Sequence, residues 1–146
     1  MSQTSILLPA MALAGWTLCV LLLLPYHRFK AVRAGHVNAH DFKHGESPRV
    51  PPSVSIPNRN LMNLLEIPVL FYFVSIVIFV SQLTDSVAVG LAWSYVILRV
   101  LHSLIHLTYN DVIHRLVAFA ASNAVLVVLW LRVGIALVSD NSAAGA

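Results

Sequence analysis

The chain has 146 residues, of which 58% are hydrophobic and only 10% charged, and its mean hydropathy is +0.80. This lies outside the soluble globular range and predicts an integral membrane protein, with room for about four spans of roughly 20 residues and for no separate soluble domain. The formal charge of +3 and pI near 9.4 do not point to nucleic acid, because the cations gather beside a membrane segment, where orientation explains them.

The first apolar run covers about residues 6–24, just long enough to cross the hydrocarbon. No Lys or Arg precedes it and no small-residue cleavage site follows, so it reads as a retained helix rather than a signal peptide, ending at Pro25. Cys19 lies inside this run and reads as a buried, unreactive thiol; one cysteine excludes an internal disulfide. Residues 25–60 read as a basic loop carrying Arg28, Lys30, Arg33, Lys43, Arg49 and Arg59, with the proline cluster "SPRVPPSVSIP" inside it. The second span is expected over about 61–83, loosened near its start by Ile67 and Pro68. "TDSVAVG" forms a tight turn, the third span covers about 87–107, the fourth about 112–138, and "SDNSAAGA" frays as a polar tail.

Flanking cations are retained on the cytoplasmic side. The first loop holds most of them, Arg115 lies at the third connection on the same side, the second loop offers only Asp85, and Arg132 reaches outward at the far end. Both termini are therefore expected away from the cytoplasm.

Polar residues inside the spans fall into stripes. Arg59, Asn63 and Glu66 are spaced by four and three, Arg99, His102 and His106 by three and four, and Arg115, Phe119 and Asn123 by four. Each spacing keeps one helix face, and all three stripes sit toward the cytoplasmic leaflet. A charge in hydrocarbon costs at least about 2.5 to 3.5 kcal/mol, so these groups are expected to face the bundle interior or a wet cavity. Two readings stand at this point: polar glue between helices, or a binding site. His102 and His106 have metal-chelating spacing, with Glu66 as a third ligand; Arg59, Arg99 and Arg115 repel a cation, so no metal ligand is assigned and a His-based metal site is kept as the least favoured alternative. His36, His40 and His44 share that spacing and read as surface residues of the loop. Asn123 reads as glue.

The ordered motifs "RNLMNLLEIP", "RVLHSLIH" and the "HR" at His114 and Arg115 resemble the MAPEG family, membrane-associated proteins in eicosanoid and glutathione metabolism, and the likeness extends in topology over almost the whole chain. The resemblance implies an all-α, left-handed up-down four-helix bundle assembled as a homotrimer, with glutathione between neighbouring subunits near the cytoplasmic surface. It further implies that Arg59, Asn63 and Glu66 hold the tripeptide from one subunit, that Arg99, His102 and His106 help complete the site, and that Arg115 stabilises the thiolate. One of Arg28, Lys30 and Arg33 would meet a tripeptide carboxylate. Partners would be membrane lipids and a lipophilic substrate, in glutathione transfer or peroxide reduction. The chain departs from the family pattern at His106, where a tyrosine is frequent, at Leu116 in place of serine, and at Phe119 in place of tyrosine. The family also contains a member that binds lipid without catalysis, so a non-catalytic lipid-binding or scaffold protein of the same fold is the alternative.

Overall fold

A computed structural model describes residues 2–35, 37–43 and 50–144. His36, His44 and Arg49 lie outside the described residues. The described residues contain helices and no strand: α1 (Leu7–Arg33), α2 (Pro52–Leu65), α3 (Pro68–Val80), α4 (Ser86–Leu107) and α5 (Val112–Ala144), with short 3-10 turns at Gln3–Ile6 and Ala39–Phe42. Counting α2 and α3 together, four segments are long and apolar enough to cross a membrane.

The boundaries differ from those expected. α1 does not stop at Pro25 but continues to Arg33: an interior proline removes one ladder hydrogen bond at a cost of about 3 kcal/mol, which membrane-spanning helices tolerate through local adjustment and neighbouring groups. Its stop signal is Gly35, at φ +73°, with the Ala34 N–H on the Lys30 carbonyl and the Gly35 N–H on that of Val32; a glycine takes this left-handed position without a Cβ clash. The proline cluster begins a helix instead of a loop. Pro51 is extended and Pro52 is the first helical residue, where its fixed φ favours initiation and its missing N–H would have been unpaired anyway. At the other end α5 runs on to Ala144, through residues expected to fray.

The second span is broken where "EIP" predicts. Glu66 leaves helical geometry, with φ −79° and ψ −85°, and Pro68 restarts the helix as α3. The loop between the first two spans is partly ordered: Asn38 and Asp41 form a capping box, and Ala31, Val37, Val50 and Val54 make a small apolar cluster with Phe42 against it. His40 is exposed there.

The main core runs the length of the bundle. Leu13 and Val20 of α1, Phe71, Val74 and Ile78 of α3, Ala92 and Tyr95 of α4, and Leu126 and Leu129 of α5 are buried together. The Phe71 and Tyr95 rings stack with centroids 4.4 Å apart. Cys19 is exposed on α1 rather than buried, because lipid-facing and core-facing surfaces are equally apolar and polarity does not separate them. At the end that carries the N-terminus the Gln3 amide donates to the carbonyls of Ile78 and Phe79, at 3.3 and 3.0 Å, and the Thr84 hydroxyl donates to the Gln3 carbonyl at 3.1 Å. Asp85 caps α4 through the Ala88 N–H and pairs with Arg132 at 2.6 Å, so Arg132 bridges α5 to the turn before α4.

One buried polar knot ties three spans. Ser103 Oγ accepts from Trp16 Nε1 at 2.9 Å and from Asn60 Nδ2 at 2.7 Å; Ser103 and Asn60 are fully buried. Ser103→Ala leaves both donors without an acceptor, and hydrogen bonds between spans are worth about 0.6 to 2 kcal/mol each. It is expected to lower unfolding stability in detergent by about 1–3 kcal/mol, whereas Ser94→Ala, whose hydroxyl is exposed and bonds only the Gly90 carbonyl, is expected to leave it within about 0.5 kcal/mol.

Candidate functional site

Three spans meet at the end of the bundle that carries the first and third connections. α4 supplies a run of polar side chains that would be costly if they faced lipid: Arg99, His102 and His106 are all buried. The spacing that puts them on one face also puts Ser103 on the neighbouring face, so α4 holds the polar knot and the cationic stripe side by side.

Arg99 donates through Nη2 to the backbone carbonyl of Asn63. That carbonyl belongs to the last turn of α2, where the break before Pro68 deprives helix carbonyls of their usual donors. The guanidinium lies 5.2 Å from the Phe119 ring centroid and 6.0 Å from that of Tyr95, within cation–π range, and Glu66 is near enough for its charge to act on Arg99. Arg99 Nε and Nη1 have no hydrogen-bond partner among the described residues.

His102 Nδ1 is 3.0 Å from the Arg115 carbonyl. A carbonyl only accepts, so the ring hydrogen sits on Nδ1 and a neutral His102 presents Nε2 as an acceptor. His102 and His106 meet edge to face at 6.0 Å, and His102 also packs against Phe119, at 5.7 Å. His102 Nε2 and His106 Nδ1 have no hydrogen-bond partner among the described residues.

Arg115 opens α5. Its Nη1 donates to Asn110 Oδ1 at 2.6 Å, and Asn110 itself takes a left-handed conformation at φ 51°, which asparagine tolerates better than most residues. Asp111 accepts the His114 N–H at 2.8 Å; that bond holds its carboxyl below the ordinary range, suiting it to the positive end of α5. Tyr109, on this connection, is 3.0 Å from His114 Nδ1 through its hydroxyl.

Between these elements lies a cavity of about 260 Å³, lined by Asn63, His102, Val112, Arg115, Leu116 and Phe119. One side is therefore cationic and polar, the other apolar. Of the residues singled out in the sequence, Asn63, His102 and Arg115 line the cavity, while Arg99 stands behind Phe119. Arg59 and Glu66 do not line it: both are exposed on the flank of the second span. The inward face of α2 is Val54, Pro57, Asn60, Leu61 and Leu64, one position round from the expected stripe. Asn60 and Asn110 were missed. Asn60 sits between two stripe residues and shares a helix face with Pro57 and Leu64, and Asn110 is a turn asparagine five residues before an arginine. Among the described residues no three His, Cys, Asp or Glu side chains converge in a way that could hold a metal ion.

The cation-bearing stripe, the interrupted second span and the arginine at the head of the last helix recur along most of the chain in the order that a known family shows. No curated protein and no solved structure matches the chain, but the model of the MAPEG family matches residues 6–135. The chain belongs to the MAPEG family.

Proposed function

We propose that this protein binds glutathione near the cytoplasmic leaflet, between neighbouring copies of a homotrimer of left-handed bundles whose termini face the other side, and uses it on lipophilic substrates by transfer or peroxide reduction. The observation that carries this reading is the cavity shared by three spans, with Arg115 and His102 in its wall and guanidinium and imidazole nitrogens that have no hydrogen-bond partner among the described residues. Glutathione brings two carboxylates and one ammonium. Unpaired guanidinium donors fit carboxylates, and the exposed carboxylate of Glu66 fits the ammonium. Arg59 and Glu66, turned outward on one subunit, are suited to a ligand held between two.

When bound, glutathione supplies a thiolate nucleophile. Arg115, anchored by Asn110, would supply positive charge to stabilise the sulfur's negative charge, and His102, its tautomer fixed by the Arg115 carbonyl, would offer Nε2 as a proton acceptor. Val112, Leu116 and Phe119 keep that wall apolar and admit a substrate from the bilayer, so proximity and nucleophile activation are the protein's contributions.

A thermal shift of the detergent-solubilised protein with glutathione tests the reading. Stabilisation that saturates with millimolar thiol is expected; no response sinks it. A second reading, non-catalytic lipid binding, is favoured by Leu116 and Phe119, which give the cavity wall no hydroxyl to donate to sulfur. Glutathione binding without turnover of a generic aromatic halide would support that reading over catalysis.

A further inference from the structure

α1 extends well past the hydrocarbon, and its extension is not uniformly basic. At about 1.5 Å per residue the apolar run from Ile6 to Leu24 fills a hydrocarbon layer of about 30 Å, and Tyr26 to Arg33 rises roughly 10 Å further, through the headgroup layer. Within this stretch the cations divide by face. Arg28 turns toward the ordered loop, its guanidinium 4.9 Å from the Phe42 ring centroid, and Ala31 is buried beside it. Tyr26, Phe29, Lys30 and Arg33, spaced by three, one and three, lie on the outer side and together line a groove of about 380 Å³. Tyr26 and Phe29 are 61% and 68% exposed, the placement of aromatics that sit among headgroups rather than in a core. Lys30 and Arg33 are exposed, and neither is ion-paired with a carboxylate among the described residues.

We propose that Tyr26, Phe29, Lys30 and Arg33 form a binding site for the headgroup of an anionic phospholipid in the adjacent leaflet. Four features commit the groove to that occupant: two cations with no ion-paired carboxylate among the described residues, no acid among the described lining residues, aromatic rings at the level of the glycerol backbone, and continuity with the leucines Leu18 and Leu22, 59% and 70% exposed. Lys30 and Arg33 hold the phosphate; Tyr26 and Phe29 cover the first acyl carbons. This site is separate from the cavity at His102 and Arg115 and does not depend on its ligand.

The test is lipid retention by native mass spectrometry after reconstitution of the full chain in equimolar phosphatidylglycerol and phosphatidylcholine. Retention of phosphatidylglycerol over phosphatidylcholine is expected, falling about fivefold for Arg33→Gln and again for the Lys30→Gln, Arg33→Gln pair. Lys43→Gln, which removes one charge from the loop that follows α1, outside the groove, is expected to leave it unchanged. Equal retention of both lipids, as would follow if a second copy covered this face, overturns the proposal. So does an equal loss in Lys43→Gln, which would mean general attraction to the membrane surface. All three side chains are exposed, so the variants keep the fold.

Discussion

Arg99→Ala is expected to lower the unfolding free energy by about 3–5 kcal/mol, the largest stability loss of any single change discussed. Arg99 is fully buried, and alanine would empty the space between the Tyr95 and Phe119 rings while stripping the Asn63 carbonyl of its donor. Arg99→Met separates the two effects. Methionine fills most of the volume, removes a buried cation that has no ion-paired carboxylate among the described residues, and leaves the unmet carbonyl as the main loss, so about 1–3 kcal/mol is expected. Unfolding midpoints in one detergent read the difference. If glutathione is the ligand, both variants also lose its thermal stabilisation, and methionine losing it while remaining folded would assign Arg99 to recognition as well as to packing. Equal midpoints for the two variants would mean that the cation, rather than the packed volume, governs stability.

Arg115→Gln is expected to bring the largest change in chemistry. Bringing a thiol from a pKa of about 8.5 to about 7 takes roughly 2 kcal/mol of added anion stabilisation, which a guanidinium in a weakly screened pocket can supply. The glutamine variant should lose about 15-fold in glutathione-dependent turnover at neutral pH, as the thiolate fraction falls from about one half to about 3%, and recover part of it as pH rises, since the thiol then ionises unaided. The sign is diagnostic. A variant reduced equally at every pH would give Arg115 a role in holding the tripeptide or the third connection, through Asn110, and none in activating sulfur. Arg115→Lys tests geometry: it keeps the charge but loses the fork that meets both Asn110 and a ligand, so an intermediate rate with a nearly unshifted profile is expected.

Much of this architecture is legible in the residues. Four apolar runs give four spans, and Ile67–Pro68 marks the break because a proline N–H is missing wherever the chain folds. Helical spacing and rise put Asn63, His102 and Arg115 at one end of the bundle, but which stripe residues face the cavity depends on how three helices pack, and Arg59 and Glu66 of the same stripe do not line it. Other features are not local. Pro25 and Pro52 are the same residue type with opposite outcomes, one tolerated inside a helix and one starting another, and only the surrounding ladder decides between them. Helix faces are harder to read in a membrane than in water. Cys19 and Val20 are adjacent and both apolar, yet one meets lipid and the other the core, since no polarity difference separates those environments. The same ambiguity hid Asn60, whose inward direction depends on Ser103 and Trp16 from two other spans. The pairing of Asp85 with Arg132 joins residues 47 apart in sequence, and no periodicity within either segment announces it.

The gap at Glu66 and Ile67 turns the second span into two rods with different ties. Of these, α3 is locked by the Phe71 and Tyr95 stack and by Gln3 across its last carbonyls. α2 is pinned near the break by Arg99 and one turn earlier by Asn60, whose Nδ2 donates to Ser103 Oγ at 2.7 Å. Arg59 and Glu66 stand on the exposed flank of α2, so a neighbouring molecule that touches them there meets a segment tied to α4 at two points and to α1 through the Ser103 knot.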